Sequence, residues 1–246
     1  MKILGYSERG IINSLLFNIG DDMELMGKFI GLMDLPEAFE LGNPIDYTVL
    51  LEQSFSEFGD ADLVIIIHYK YYEDLKDEKP EDKKVLFIEG KVKTSNSNWI
   101  INTQFNKYID KEQYIKKEKY SGYSSNLFFQ LHLKKLMFDK WREIKENGLV
   151  EEPKFEEHRK IGGNKIVLKA FELINCKESY YIGIIPTKHN DINTFEGKID
   201  LDLNFLSWEK VEKFCEDKKL EYPNLEKVIE IFEYNDEQIY KRDNHK

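Results

Sequence analysis

Little in this chain is cysteine. Only Cys176 and Cys215 occur in 246 residues, at a spacing that suggests neither a zinc site nor a disulfide framework. Long apolar runs are missing too. None approaches the roughly 18 residues that a transmembrane helix needs, and the apolar part of MKILGYSERG is too short for a signal peptide. The expectation is a cytoplasmic, reduced protein with no membrane partner. Arginine is scarce: Arg9, Arg142, Arg159 and Arg242 are the only four among 36 basic residues. Lysine is a compact point charge, suited to phosphates and poor at bidentate base reading. There is no internal repeat and no linker rich in Pro, Gly or Ser. Nor is there a glycine-rich phosphate loop, since IGGNK at 161–165 is too short a match to G-x-x-x-x-G-K.

What is present is a core and a surplus of acid. Hydrophobic residues make up 41%, enough for a single large domain across 1–246. The net charge of −10 argues against a nucleic-acid binder. Screening weakens that objection, because exposed charges reach only about 8 Å at physiological salt. A local basic patch therefore acts despite the total.

Apolar spacing after Ser7 (Ile11, Ile12, Leu15, Leu16, Ile19) predicts a first helix, and 22–33 a second. DYTVLLEQS at 46–54 reads as a strand. DLVIIIHY at 62–69 reads as a central strand, apolar on both faces. After a charged loop, 85–93 forms a third strand. Helices are expected over 99–119 and 125–147, then a polar connection over 149–164. Residues 165–174 and 180–185 read as a strand hairpin with its turn at 175–179. Ser207 caps a further helix, and 224–233 is helical. The chain from Asn235 on is expected to fray. The order implies an α/β fold with helices covering a mixed sheet, its core at about 6–186 and a helical part at about 205–234.

The third strand raises a question. VLFIEGKVKT opens as a buried strand and then places Glu89 and Lys91 on one face. Moving an ion out of water costs several kcal/mol even after relaxation. A Glu–Lys pair lowers that cost, so a structural salt bridge is one reading. The preceding strand begins GDADLVIII. If the two strands are neighbours, Asp62, Glu89 and Lys91 meet at one sheet edge. Adjacent carboxylates repel unless a proton or a cation lies between them. A hard cation such as Mg²⁺ takes one or two carboxylates, a carbonyl and waters, leaving room for phosphate oxygens.

E-x-K alone says little, since it occurs six times, at Glu81, Glu89, Glu143, Glu152, Glu196 and Glu216. Only Glu89 ends an apolar strand and follows one led by aspartate. In that context, ADLVIII followed by IEGK resembles the PD-(D/E)xK nuclease superfamily. Asp62 matches the family's aspartate, Glu89 its second acid and Lys91 its lysine; Ala61 stands where the family usually has proline. Gln104 and Tyr108, at i, i+4 on one helix face and flanked by Lys107 and Lys111, are similar to the Q-x-x-x-Y element of RecB-type nucleases. The resemblance implies a restriction-endonuclease-like fold and a Mg²⁺-dependent deoxyribonuclease, with Mn²⁺ able to substitute. It implies that Asp62, Glu89 and the carbonyl of Gly90 bind metal. Lys91 would act on the attacking water, Glu8 of the first helix would support the site, and Gln104, Tyr108, Lys107 and Lys111 would hold the DNA backbone. The resemblance covers about 6–108. A homodimer, or two nicks, would serve duplex cutting.

Plain alternatives stand beside each of these. Asp62, Glu89 and Lys91 also fit a structural ion cluster. Glu8 fits an acid in a first helical turn, stabilised by the dipole. Gln104 and Tyr108 fit an ordinary amphipathic helix. Asp60 reads as a turn residue, while His68 and His132 read as structural; His158, His189 and His245 lack ligand spacing. The lysines of 107–119, interleaved with Tyr108, Tyr114 and Tyr120, fit a solvated face as well as a phosphate-tracking groove. Two other functions remain open: a catalytically inactive nuclease-like module that binds nucleic acid or a protein partner, and an α/β enzyme on small phosphorylated metabolites.

Overall fold

The computed structural model describes residues 4–69, 82–93, 99–115, 125–146, 154–155, 159–187, 192 and 203–240. The side chains of 110–115, 142–146, 154–155, 159–160 and 237 fall outside that description.

Helices α1 (Ser7–Ile19) and α2 (Met23–Ile30) lead into three antiparallel strands, β1 (Asp46–Ser54), β2 (Asp60–Tyr69) and β3 (Asp82–Gly90). Helices α3 (Ile101–Ile115) and α4 (Leu127–Glu146) follow, then a two-residue ladder of β4 (Lys154–Phe155) with β5 (Arg159–Lys160). After α5 (Lys165–Leu173), strand β6 (Glu178–Ile185) returns parallel to β3, and β7 (Leu203–Ser207) lies parallel to β6. Helices α6 (Trp208–Lys218) and α7 (Glu226–Asn235) close the described chain. The five-stranded mixed sheet runs β1-β2-β3-β6-β7. The fold is α/β, with helices on both faces.

Alternation sorts the side chains between those faces. Leu63, Ile65, Ile67, Leu86, Ile88 and Ile182 join the core under α1, α2, α6 and α7. Val64, Ile66, Val85, Phe87 and Tyr181 join the core under α3, α4 and α5. That two-sided burial explains why β2 and β3 read as continuous apolar runs. Among the described residues, no helix is long and apolar enough to cross a membrane.

Three sequence expectations fail here. Residues 165–173 are helix α5, not a hairpin strand. The β-branched and aromatic composition of KIVLKAFEL suggests a strand, but its buried positions Val167, Ala170, Phe171 and Ile174 recur at helical spacing. Asn164 caps the helix by accepting from the Ile166 N–H at 2.9 Å. Second, β7 is a strand that the pattern did not reveal; five residues of mixed polarity acquire their state from pairing with β6. Third, the chain does not fray at Asn235. Asn235 is buried and its Oδ1 accepts from the Ser7 N–H at 3.0 Å. Ile239 is also buried, and the Gln238 carbonyl accepts from the Lys93 N–H at 2.8 Å.

Candidate active site

β2 and β3 pair so that Leu63 faces Ile88. Continued by one residue, that antiparallel register sets Asp62 opposite Glu89, on the sheet face covered by α3 and α4. Both acids are buried, Asp62 at 5% exposure and Glu89 at 1%. Asp62 is well provided: its Oδ2 accepts from the Gly90 N–H at 2.9 Å, and its Oδ1 from Arg9 Nε at 3.3 Å. Arg9 also reaches Glu52 Oε2 at 3.3 Å, bridging β1 to β2. Glu52 stands in the left-handed region, at φ 49, a conformation uncommon for a residue with a Cβ.

Glu89 is not provided. Neither carboxylate oxygen has a hydrogen-bond partner. Two ammonium groups flank it at longer range: Lys134 Nζ lies 3.7 Å from Oε1, and Lys91 Nζ lies 4.0 Å from Oε2. Burial pushes the Glu89 carboxyl up to about 7, and Asp62 adds to the rise against the pull of Lys134 and Lys91. Burial likewise lowers the Lys134 ammonium, with Glu89 opposing.

Two backbone devices fix this geometry. Gly90 meets α1 closely: a Cβ there would lie 2.8 Å from the Glu8 Cβ, so only glycine lets the first helix sit on the strand end. Glu8 thereby packs on Gly90, partly buried, on the α1 face of the sheet and not on the face that carries Asp62 and Glu89. Trp208 of α6, fully buried, donates from Nε1 to the Lys91 carbonyl at 2.7 Å, while the Lys91 N–H donates to Ile184 O at 2.8 Å. The backbone after Glu89 is thus held from both sides.

Asp62, Glu89, Gly90 and Lys91 therefore converge, while Glu8 touches only Gly90 among them. Gln104 and Tyr108 find their described partners elsewhere, in Asn126 just before α4 and His132 on it. Gln104 Oε1 and its backbone carbonyl accept from Asn126 Nδ2, at 3.2 and 2.8 Å. The Tyr108 hydroxyl lies 3.1 Å from His132 Nδ1, and its ring packs against Phe128. Tyr108 is buried, whereas Lys107 is exposed. Lys111 is on α3, with its side chain outside the described residues, as are residues 116–124 and His158, His189, His245 and Glu196. Asp60 is exposed and, contrary to the turn expected, opens strand β2 opposite Ser54, because pairing with β1 extends the strand back to the residue after Gly59. His68 pairs with Thr48 Oγ1 at 2.9 Å, far from the acids along β2.

Lys134, Arg9 and Trp208 were missed as site residues. For Lys134 a signal existed: it stands at i+3 from Leu131 and four before Phe138, on the apolar side of α4. Its neighbour Lys135 points outward to Asp139 at 2.7 Å.

Among the described residues, no group of three or more His, Cys, Asp or Glu is placed to hold a metal. A carboxylate pair with a backbone carbonyl still satisfies a hard cation that keeps its waters. Glu89 supplies the specific fit, because a buried carboxylate with no hydrogen bond is what a cation would complete. No family model, no curated protein and no solved structure matches this chain.

Proposed function

We propose that this chain is a metal-dependent nuclease of restriction-endonuclease-like fold that hydrolyses DNA phosphodiester bonds. One observation carries the reading: Glu89, wholly buried at the end of β3 and without a hydrogen bond on either oxygen, lies beside Asp62 with Lys91 alongside.

Asp62, Glu89 and the Gly90 carbonyl would hold a Mg²⁺ or Mn²⁺ ion. When bound, such an ion polarises a phosphoryl oxygen and lowers the pKa of water. The chain's own residues do the rest. Lys91 is 12% exposed on its side chain, so its ammonium can reach a substrate phosphate while remaining near Glu89. It orients the water whose oxygen attacks phosphorus and offsets the charge that grows there as the bond to the leaving oxygen breaks. Arg9 and the Gly90 N–H hold Asp62 in one orientation. Glu8 packs against Gly90, and its support of the site would act through that strand end. Lys107, exposed on α3, is available to the DNA backbone.

A second reading has an observation of its own. Arg9 already pairs with Asp62, and Lys91 and Lys134 flank Glu89, so the cluster also fits a nuclease-like module that binds nucleic acid or a protein partner without cutting. Cleavage of plasmid and single-stranded DNA in Mg²⁺, set beside gel-shift binding in EDTA, separates the two. Metal-dependent cleavage supports the nuclease. Binding in EDTA with no cleavage in Mg²⁺ or Mn²⁺ would establish the module.

A further inference from the structure

We infer that Lys134 takes the place of a second metal ion, so that the site accepts one divalent cation and not two. This rests on the metal-binding reading above and adds the number of ions and the residue that sets it.

Glu89 offers two oxygens, and they face different cations. Oε2 looks toward Lys91, whose side chain is partly open to solvent and follows the end of β3. Oε1 looks toward Lys134, which has no solvent access at all. Its side chain is 0% exposed, and its Nζ donates to the Phe58 carbonyl at 2.9 Å. Gly59, at φ +76, turns the chain directly after that carbonyl. The position its Cβ would occupy lies 3.6 Å from Lys134 Nζ, an ordinary van der Waals distance, so the turn packs closely beside the ammonium. Lys134 is thereby fixed between a carbonyl it cannot leave and a carboxylate oxygen 3.7 Å away. An ion bound on Oε1 would face that ammonium at close range, in a site where water cannot screen the repulsion.

Nor does Asp62 provide a second berth. Its two oxygens already accept from Arg9 and from the Gly90 N–H, and the Arg9 guanidinium on Oδ1 would repel a further cation there. Among the described residues no third acid, histidine or cysteine joins the pair. A second divalent ion would therefore arrive with two more positive charges and no carboxylate of its own.

Counting Mn²⁺ bound to the metal-free protein, from the electron paramagnetic resonance signal of the free ion, tests this without reference to cleavage. The expected result is one Mn²⁺ per chain, lost in Glu89→Gln. Two Mn²⁺ per chain, both lost in Glu89→Gln, would overturn the inference and leave the nuclease reading standing. No Mn²⁺ that depends on Glu89 would overturn the metal-binding reading itself, and the inference with it. Lys134→Met keeps the unbranched stem and removes the charge. Folded Lys134→Met is expected to bind a second, weaker Mn²⁺; a folded variant that still binds one would show that Lys134 does not set the number. If Lys134→Met does not fold, the count on the parent protein decides.

Discussion

Strand β3 carries an ionic group near each end, Lys84 partly buried and Glu89 wholly so, and the two are treated differently. Near its start, the Lys84 ammonium donates to the Glu40 carbonyl at 3.0 Å and lies 3.6 Å from Glu178. It also sits over the rings of Phe39 and Tyr69, at 5.1 and 5.6 Å. Every need of that charge is met locally. At the other end, Glu89 is more deeply buried and accepts no hydrogen bond. Both groups belong to one strand in one sheet, so general features of the fold do not account for the contrast. A structural ion pair is built like Lys84. Glu89 has two ammonium groups nearby and no hydrogen bond, at the end of the strand where a second acid stands.

The sharpest way to break the comparison is to remove charge at each end. Glu89→Gln keeps shape and loses the anion, and cleavage is expected to fall by roughly 10²–10³-fold or more, on the scale of losing one charge-stabilising group in an active site. Lys84→Met should leave cleavage unchanged. A Glu89→Gln protein that cuts DNA at the parent rate would erase the distinction.

Stability separates the two ends next. Lys134→Ala leaves Glu89 buried without its nearest cation, and loss of one partner of a buried pair costs about 3–5 kcal/mol. Lys84→Ala is expected to cost about 1–2 kcal/mol, the scale of a hydrogen bond and a cation–π contact. The double change Glu89→Leu with Lys134→Met should recover most of the loss, because a buried ion pair replaced by apolar residues is often neutral or stabilising. Urea titrations of the metal-free proteins measure all three. Equal costs at the two ends would mean that Glu89 is as well satisfied as Lys84.

Acidity gives a smaller, continuous effect. The folded protein holds the Glu89 proton up to about pH 7, whereas the unfolded chain releases it near 4.5. Between those values the native state binds more protons, so this group makes metal-free stability fall as pH rises. Glu89→Gln should lack that component. If parent and variant show the same pH dependence of urea midpoint, the carboxyl is not perturbed in the folded state.

The smallest effect is expected at Trp208→Phe. It keeps the aromatic packing and removes the N–H donated to the Lys91 carbonyl, a loss of about 1 kcal/mol. Cleavage should fall only modestly, as Lys91 loses one of its two backbone anchors. An unchanged melting temperature would show that the indole bond contributes nothing.

Much of this arrangement was legible in the residues, and the exceptions have physical causes. β2 and β3 announce themselves because a strand buried on both faces must be apolar throughout, which makes the acids at Asp62 and Glu89 conspicuous. Glu8 was expected beside the acids from its place on the core-facing side of α1, and the helix instead seats it on Gly90, away from their side chains. Gln104 and Tyr108 are as expected in being helical, but their side chains turn to Asn126 and His132, a choice made by packing onto α4 that helical spacing alone does not reveal. KIVLKAFEL misleads because nine residues rich in β-branched and aromatic types satisfy both periodicities, and tertiary contact decides. Lys134 and Trp208 reach the site from α4 and α6. The apolar side of α4 marks Lys134 as inward-facing, but which groups Lys134 and Trp208 meet depends on how distant segments fold back over the sheet.

The most direct test is the Mg²⁺-dependent cleavage of plasmid and single-stranded DNA by the parent protein and by Lys91→Ala, with circular dichroism to confirm that both are folded. The expected result is cleavage by the parent, abolished by EDTA, and none by a folded Lys91→Ala. Cleavage by Lys91→Ala at the parent's rate, or its absence from the parent in both Mg²⁺ and Mn²⁺, would contradict the assignment of these residues to phosphodiester hydrolysis.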